Sequence, residues 1–153
     1  EQLFKEARRK ALRYLTYRGR SAAELTGYLT DHGYGDEVVS RVLEEMTRLR
    51  FVDDDKLAQE FIGQRLRSGY GPVRIRRELI NRGFNDQLIE QLLPVLYPQD
   101  EERYQAAFWL EKKAGREGIP KNKRQISRWV NFLRRRGFSE QVIAGAIKKY
   151  IDL

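Results

Sequence analysis

The sequence predicts an all-α protein built as three tandem three-helix repeats in an elongated, curved array. Three observations predict it. The pattern Leu25, Leu29, Gly33-Tyr34 returns as Ile75, Leu79, Gly83-Phe84 and as Trp129, Leu133, Gly137-Phe138, with the glycines 50 and 54 residues apart, a period in the range of solenoid repeats. The columns continue past each glycine, at Val38-Val39, Leu88-Ile89 and Val142-Ile143, and again at Leu43, Leu93 and Ile147. Charged residues make up 34% of the 153 residues, and the β-branched runs of a sheet protein are missing.

In each repeat the apolar residues eight and four positions before the glycine share one helical face. The first repeat opens with a helix over about Leu3 to Tyr17. It stops at Arg18-Gly19-Arg20, where Ser21 and Glu24 form an S-x-x-E capping box for the next helix. Gly33 then takes the C′ position, where a left-handed backbone costs no Cβ clash, and a third helix follows with Asp36 as its cap. In the second repeat the first helix starts after Asp53-Asp54-Asp55 and runs to about Arg67. The corner Ser68-Gly69-Tyr70-Gly71-Pro72 offers Gly69 or Gly71 for positive φ and Pro72 for the first helical turn, and Asn85 caps the third helix. In the third repeat the first helix covers about Glu101 to Ala114, a longer corner over residues 115–125 absorbs the four extra residues, and Ser139 is the cap. The repeats are bounded as 1–51, 52–98 and 99–153. A repeat of about 50 residues is marginal alone, and three end to end approach ~75 Å.

Several function classes are excluded. The chain has no cysteine, so disulfides, thiolate zinc sites and cysteine nucleophiles are out, in keeping with a reducing cytoplasm. It has no apolar run long enough for a membrane span, and no secretory n-region and h-region opens it. The one histidine, His32, stands at a helix C-terminus, where it complements the dipole. Asp53-Asp54-Asp55 reads as a helix start with favourable dipole charges, because no further ligands stand at metal-site spacing. The Gly69–Gly71 corner lacks the phosphate-loop pattern and no strand precedes it. No catalytic constellation, cofactor, metal or small-molecule substrate is expected, and the chain is expected to be a cytoplasmic monomer.

Charge points instead to a partner. Residues 65–82 carry six basic groups against one acid, and residues 112–136 carry ten against one. With a net charge of +8 for the chain, everything outside these windows is net acidic. Such segregation favours a nucleic acid or an acidic protein surface. On a helical wheel Ile126, Trp129, Val130 and Leu133 form the core face, and Trp129 is expected to be buried. Arg124, Arg128 and Arg135 lie opposite. Arg74 aligns with Arg128, and Arg77 follows one turn along, whereas the aligned positions of the first repeat hold Glu24 and Asp31. The outer face thus changes from acidic to basic along the chain. Arg74, Arg77, Arg124, Arg128 and Arg135, with Lys121, Lys123 and the corner residue Tyr70, are the expected partner-binding stripe.

Three segments, LTYRGRSAAEL from Leu15, RFVDDDKLAQEFI from Arg50 and GYGPVRIRRELINRGF from Gly69, resemble the RecX family of bacterial regulatory proteins. The resemblance covers nearly the whole chain and is most specific at the third segment. It implies tandem three-helix repeats and no enzymatic activity. It further implies binding to the RecA recombinase, chiefly as its nucleoprotein filament on single-stranded DNA, with suppression of recombination and of the co-protease activity that triggers the SOS response. The alternative is a direct DNA-binding protein of tandem helix-turn-helix-like units. The basic helices carry few Asn or Gln at base-reading spacing, and no dimerisation helix is evident, which disfavours sequence-specific readout; weak direct DNA contact is expected beside the protein partner.

Overall fold

The computed structural model describes residues 1–151. Among them the secondary structure is all α, in the order α1 (Gln2–Tyr17), α2 (Ala22–Asp31), α3 (Asp36–Arg48), α4 (Asp54–Arg67), α5 (Pro72–Asn81), α6 (Asp86–Leu96), α7 (Gln99–Glu117), α8 (Lys123–Arg136) and α9 (Glu140–Ile151).

The repeated glycines end α2, α5 and α8 in one way. Gly33, Gly83 and Gly137 have φ of 89°, 84° and 98°. Their amides bond to Thr30, Ile80 and Arg134 carbonyls at 2.9, 2.9 and 3.0 Å. The following amides of Tyr34, Phe84 and Phe138 reach back to Leu29, Leu79 and Leu133 at 3.2, 3.1 and 3.1 Å. This is the Schellman pattern, which satisfies the last orphan carbonyls and folds the aromatic over the helix end. All three aromatics are buried with the leucines they bond to.

Most of the expected caps are present. Ser21 Oγ accepts from the Glu24 amide at 3.1 Å, and Glu24 Oε1 accepts from the Ser21 amide at 2.8 Å, completing the capping box. Asn85 Oδ1 accepts from the Gln87 amide at 2.7 Å, and Ser139 Oγ from the Val142 amide at 3.4 Å. Asp36 is different: Gly35 is the N-cap of α3, and Asp36 is its first helical residue, where its charge meets the helix dipole. Two helices are longer than the sequence pattern indicated. α4 takes in Asp54 and Asp55, and α7 runs three residues beyond Ala114, so the long corner shrinks to residues 118–122. Of the two corner glycines in the second repeat, Gly69 takes the positive φ, 83°.

The chain divides into two compact units, residues 1–60 with 79–89, and residues 61–78 with those from 90 onward. In the first unit α1 and α2 pack on α3 around Ala7, Ala11, Leu25, Leu29, Tyr34, Val39, Val42, Met46 and Val52. In the second, α7 and α8 pack on α9 around Ala106, Leu110, Leu133, Phe138, Val142, Ile143, Ile147 and Tyr150, with Trp129 buried at 2% exposure as expected. Its indole meets the Tyr150 ring edge-on at 5.2 Å.

Candidate partner-binding surface

Every residue of the expected stripe belongs to the second unit. α8 starts with Asn122 as N-cap, whose Oδ1 accepts from the Gln125 amide at 2.9 Å. Its first turn contains no acid, while Lys121, Lys123 and Arg124 crowd the positive end of the helix dipole. That arrangement opposes helix stability and concentrates positive potential for an anion. Arg124, Arg128 and Arg135 are exposed along the side away from Trp129 and Leu133. Arg124 and Arg135 stand eleven positions apart, about 16 Å of helix.

The arginines of this unit fall into two groups. Some are engaged by the fold. Arg134 makes two bonds to the Glu140 carboxylate, at 2.8 and 2.7 Å, which hold its guanidinium above its ordinary pKa and the Glu140 carboxyl below its own. Arg76 pairs with Glu90. Arg136 donates to the Ser68 and Gly69 carbonyls at 2.8 and 3.2 Å. Burial, together with the neighbouring Arg74 charge, lowers the Arg136 pKa. Arg77, Arg124, Arg128 and Arg135 with Lys121 and Lys123 are exposed, as are Arg67 and Arg116 outside the expected stripe, and among the described residues none of these side chains forms a salt bridge.

Arg74 belongs to both groups, and Tyr70 lies against it. The Arg74 and Arg136 guanidiniums lie 4.0 and 4.4 Å from the Tyr70 ring centroid, and the Tyr70 carbonyl accepts from the buried Tyr97 hydroxyl at 2.8 Å. Burial raises the Tyr97 pKa, with the Glu102 and Glu101 charges adding to it, so the phenol remains a donor. Tyr70 is therefore a clasped ring rather than a bare stacking platform. Arg74 is 37% exposed and lies 3.8 Å from Glu78, and Glu78 is itself held by Arg65 at 2.9 Å. The fold thus gathers Tyr70, Arg74 and Arg136 at the C-terminal end of α8, beside Arg135. Lys121, Lys123 and Arg124 lie at the other end of that helix.

The Tyr70 corner is also where α8 ends. The Gly71 and Val73 amides donate to the Arg136 and Gly137 carbonyls, both at 2.9 Å. The amides at the start of α5, which have no partner within that helix, thereby satisfy carbonyls that end α8, with Pro72 contributing no donor of its own. A Cβ on Gly137 would collide with Arg74, and one on Gly71 with the Gly137 backbone. The Trp109 indole N–H donates to the Gly69 carbonyl at 2.8 Å, and Arg136 lies 4.1 Å from its ring.

The first unit holds a counterpart. Ser21 Oγ donates to the Arg82 carbonyl at 2.7 Å. The Arg82 guanidinium bonds to both Glu24 oxygens, at 2.9 and 3.2 Å, and to the Gly19 carbonyl at 3.2 Å. A Cβ on Gly83 would meet Ala23. Glu24 is accordingly an anchor and not the solvated outer-face acid that the wheel suggested. Burial would raise its pKa, but the bonds from Arg82 and the Ser21 amide, with the Arg82 and Arg18 charges, outweigh that and hold it low.

Sequence reasoning missed Arg82 and Arg136, although a signal was present. Arg-Gly-Phe stands at 82–84 and 136–138, whereas the first repeat has His32-Gly33-Tyr34. His32 caps α2 and bonds through its ring to the Tyr28 carbonyl at 2.7 Å. The Asp53–Asp55 run has structural partners. Asp53 accepts from the Lys56 amide at 3.2 Å, and Asp54 caps α2 through the Ala22 amide at 2.9 Å. Among the described residues no three His, Asp or Glu side chains converge as a metal site, and no helix is long and apolar enough to cross a membrane.

Two family models match the chain: RecX, first three-helix domain, over residues 7–46, and RecX, second three-helix domain, over residues 53–93. The chain is 35% identical to the regulatory protein RecX of Mycolicibacterium smegmatis, over 90% of this chain and 75% of that one. It is 36% identical to that of Halorhodospira halophila, over 89% and 83%, and 35% identical to that of Legionella pneumophila, over 91% of each. Its fold resembles the crystal structure of RecX from Lactobacillus salivarius, with a TM-score of 0.84 and 20% identity, over 98% of this chain and 97% of that one.

Proposed function

The chain belongs to the RecX family of regulatory proteins, and on that premise we propose that it binds the RecA recombinase, as the filament RecA forms on single-stranded DNA. Binding restrains recombination and the SOS co-protease activity in the cytoplasm by occupancy, with no catalytic step. The three repeats 1–51, 52–98 and 99–153 are part of the same reading, and the family-model matches within the first two support it.

The observation that carries the proposal is the division among the arginines of the second unit. Position 24 of the first repeat pairs with Arg82, and position 74 of the second lies against Gly137. The aligned Arg128 is exposed, in a row with Arg124 and Arg135. Packing asks nothing of these three, so their charge is available to an acidic surface of the filament. Arg77, Lys121 and Lys123 extend the face, and Tyr70 with Arg74 forms its inner edge.

The test replaces Arg77, Arg124, Arg128 and Arg135 with Glu and spares Arg74, whose removal would disturb the corner. Helix content by circular dichroism is expected to match the parent. Inhibition of RecA-driven strand exchange, and co-sedimentation with RecA filaments, are expected to fall at least tenfold. A folded variant that inhibits at parental concentrations removes this face from consideration. Direct DNA binding through α5 and α8 predicts a different result, loss of bare-duplex binding with inhibition intact.

A further inference from the structure

The outer row of α1 has no part in the fold. Lys5, Arg9, Arg13 and Tyr17 stand four residues apart, one above another on the side of α1 away from Ala7 and Ala11. All four are exposed, Tyr17 at 89%. Several other cations of the same unit are paired: Arg8 with Glu45 at 3.0 Å, Lys10 with Glu6 at 4.0 Å, Arg41 with Glu1 at 3.2 Å and Arg82 with Glu24 at 2.9 Å. Among the described residues Lys5, Arg9 and Arg13 form no salt bridge, and no ring or cation stacks on Tyr17. Like charges four residues apart weaken a helix, and acids are plentiful in this unit, so the bare row serves something other than helix stability.

We propose that the Lys5, Arg9, Arg13 and Tyr17 row binds single-stranded nucleic acid, the cations following successive phosphates and the Tyr17 ring stacking on an unpaired base. Four residues advance about 6 Å along a helix, close to the phosphate spacing of an extended single strand. A guanidinium offers the paired donors that phosphate oxygens accept. A phenol ring at the end of the row, open to solvent, is the platform that an unstacked base requires and a closed duplex does not. An anionic membrane would call for an apolar stripe beside the cations, but the apolar face of α1 is buried in the unit's core. The α1 row is a different surface from the stripe on α5 and α8, and its ligand is nucleic acid alone.

The experiment titrates the whole chain into a labelled oligo-dT of about 20 nucleotides by fluorescence anisotropy, with no recombinase present, between about 50 and 200 mM salt. Three phosphate contacts on a single strand contribute a slope of about −2 in log K against log salt. The triple variant Lys5→Gln, Arg9→Gln and Arg13→Gln is expected to lose that increment and to bind at least tenfold more weakly at about 50 mM salt. Arg9→Gln alone should remove about 0.7 from the slope. Tyr17→Ala should weaken binding about fivefold or more and leave the slope unchanged. Three results would each overturn the proposal: a triple variant that binds like the parent, a duplex of equal length bound more tightly than oligo-dT, or a parent with no affinity for oligo-dT at the lowest salt.

Discussion

The two arginine clamps solve one problem with different chemistry. In the first unit Arg82 meets a carboxylate, Glu24, at 2.9 Å, and its carbonyl accepts from a side-chain hydroxyl, Ser21. In the second unit Arg136 meets only carbonyls and aromatic faces, and its carbonyl accepts from a backbone amide, that of Gly71. The first clamp neutralises its own charge. The second leaves Arg136 without a carboxylate, and Arg74 shares its one acid, Glu78 at 3.8 Å, with Arg65, which keeps the local potential positive where α8 ends. One backbone arrangement can therefore close on an ion pair or on a cation–π stack, and the second choice leaves a surface that attracts anions.

The largest expected effect comes from the glycines at the clamps. Gly137→Ala places a methyl against the Arg74 backbone and Cβ at a left-handed position. The backbone penalty of about 1–2 kcal/mol and an overpacking cost of about 1–3 kcal/mol should add. Gly83→Ala meets only the Ala23 methyl, which is on an exposed residue, and should cost less. Gly33→Ala meets nothing nearby, and should cost only the backbone penalty of about 1–2 kcal/mol. Chemical denaturation of the three variants checks the order, and equal losses would mean that the clamps add nothing to the glycine requirement.

Next come the arginines. Arg136→Ala removes two bonds from a charged donor and the cover of two rings, at a cost of about 2–3 kcal/mol. Arg136→Lys should recover little, because an ammonium cannot stack flat on Tyr70 while reaching both carbonyls. Arg82→Ala leaves Glu24, at 18% exposure, with only the Ser21 amide and Arg18 at 3.8 Å and should cost about 1–3 kcal/mol. Arg82→Lys should recover more than its counterpart, since a point charge still serves a carboxylate. Melting temperatures of the four variants test whether the chemistry of the clamps differs as described.

The smallest effect is in pH. The Glu24 carboxyl titrates below its ordinary value in the folded chain, so its stabilising contribution is complete above the unfolded pKa, near 4.3, and fades as pH falls through the folded one. Asp54 acts in the opposite sense. Its burial raises its pKa in spite of the Ala22 amide bond, so its ionisation costs stability as pH rises through that value. The difference in stability between the parent and Glu24→Gln should shrink between about pH 5 and pH 3. The difference between the parent and Arg136→Ala should hold steady over the same range, because no carboxylate touches Arg136.

The helices, the repeated pattern and the core residues can be read from the order of amino acids. Spacing of four between leucine and glycine dictates one face and one C′ position, and a left-handed C′ residue is a local requirement of the backbone, so Gly33, Gly83 and Gly137 could be assigned without any partner in view. Trp129 was legible in the same way, because its column is apolar in every repeat. The basic character of the second unit was equally plain, since charge is a property of composition. Which cations are engaged depends on the folded chain. Arg134, Arg135 and Arg136 are consecutive and alike in sequence, yet the first holds Glu140, the second is exposed and the third lies half-buried against Tyr70 and Trp109. Asp54 likewise caps a helix 32 residues earlier. A charged side chain is long and flexible, and what it meets depends on surfaces brought near from distant parts of the chain, which helical periodicity does not encode.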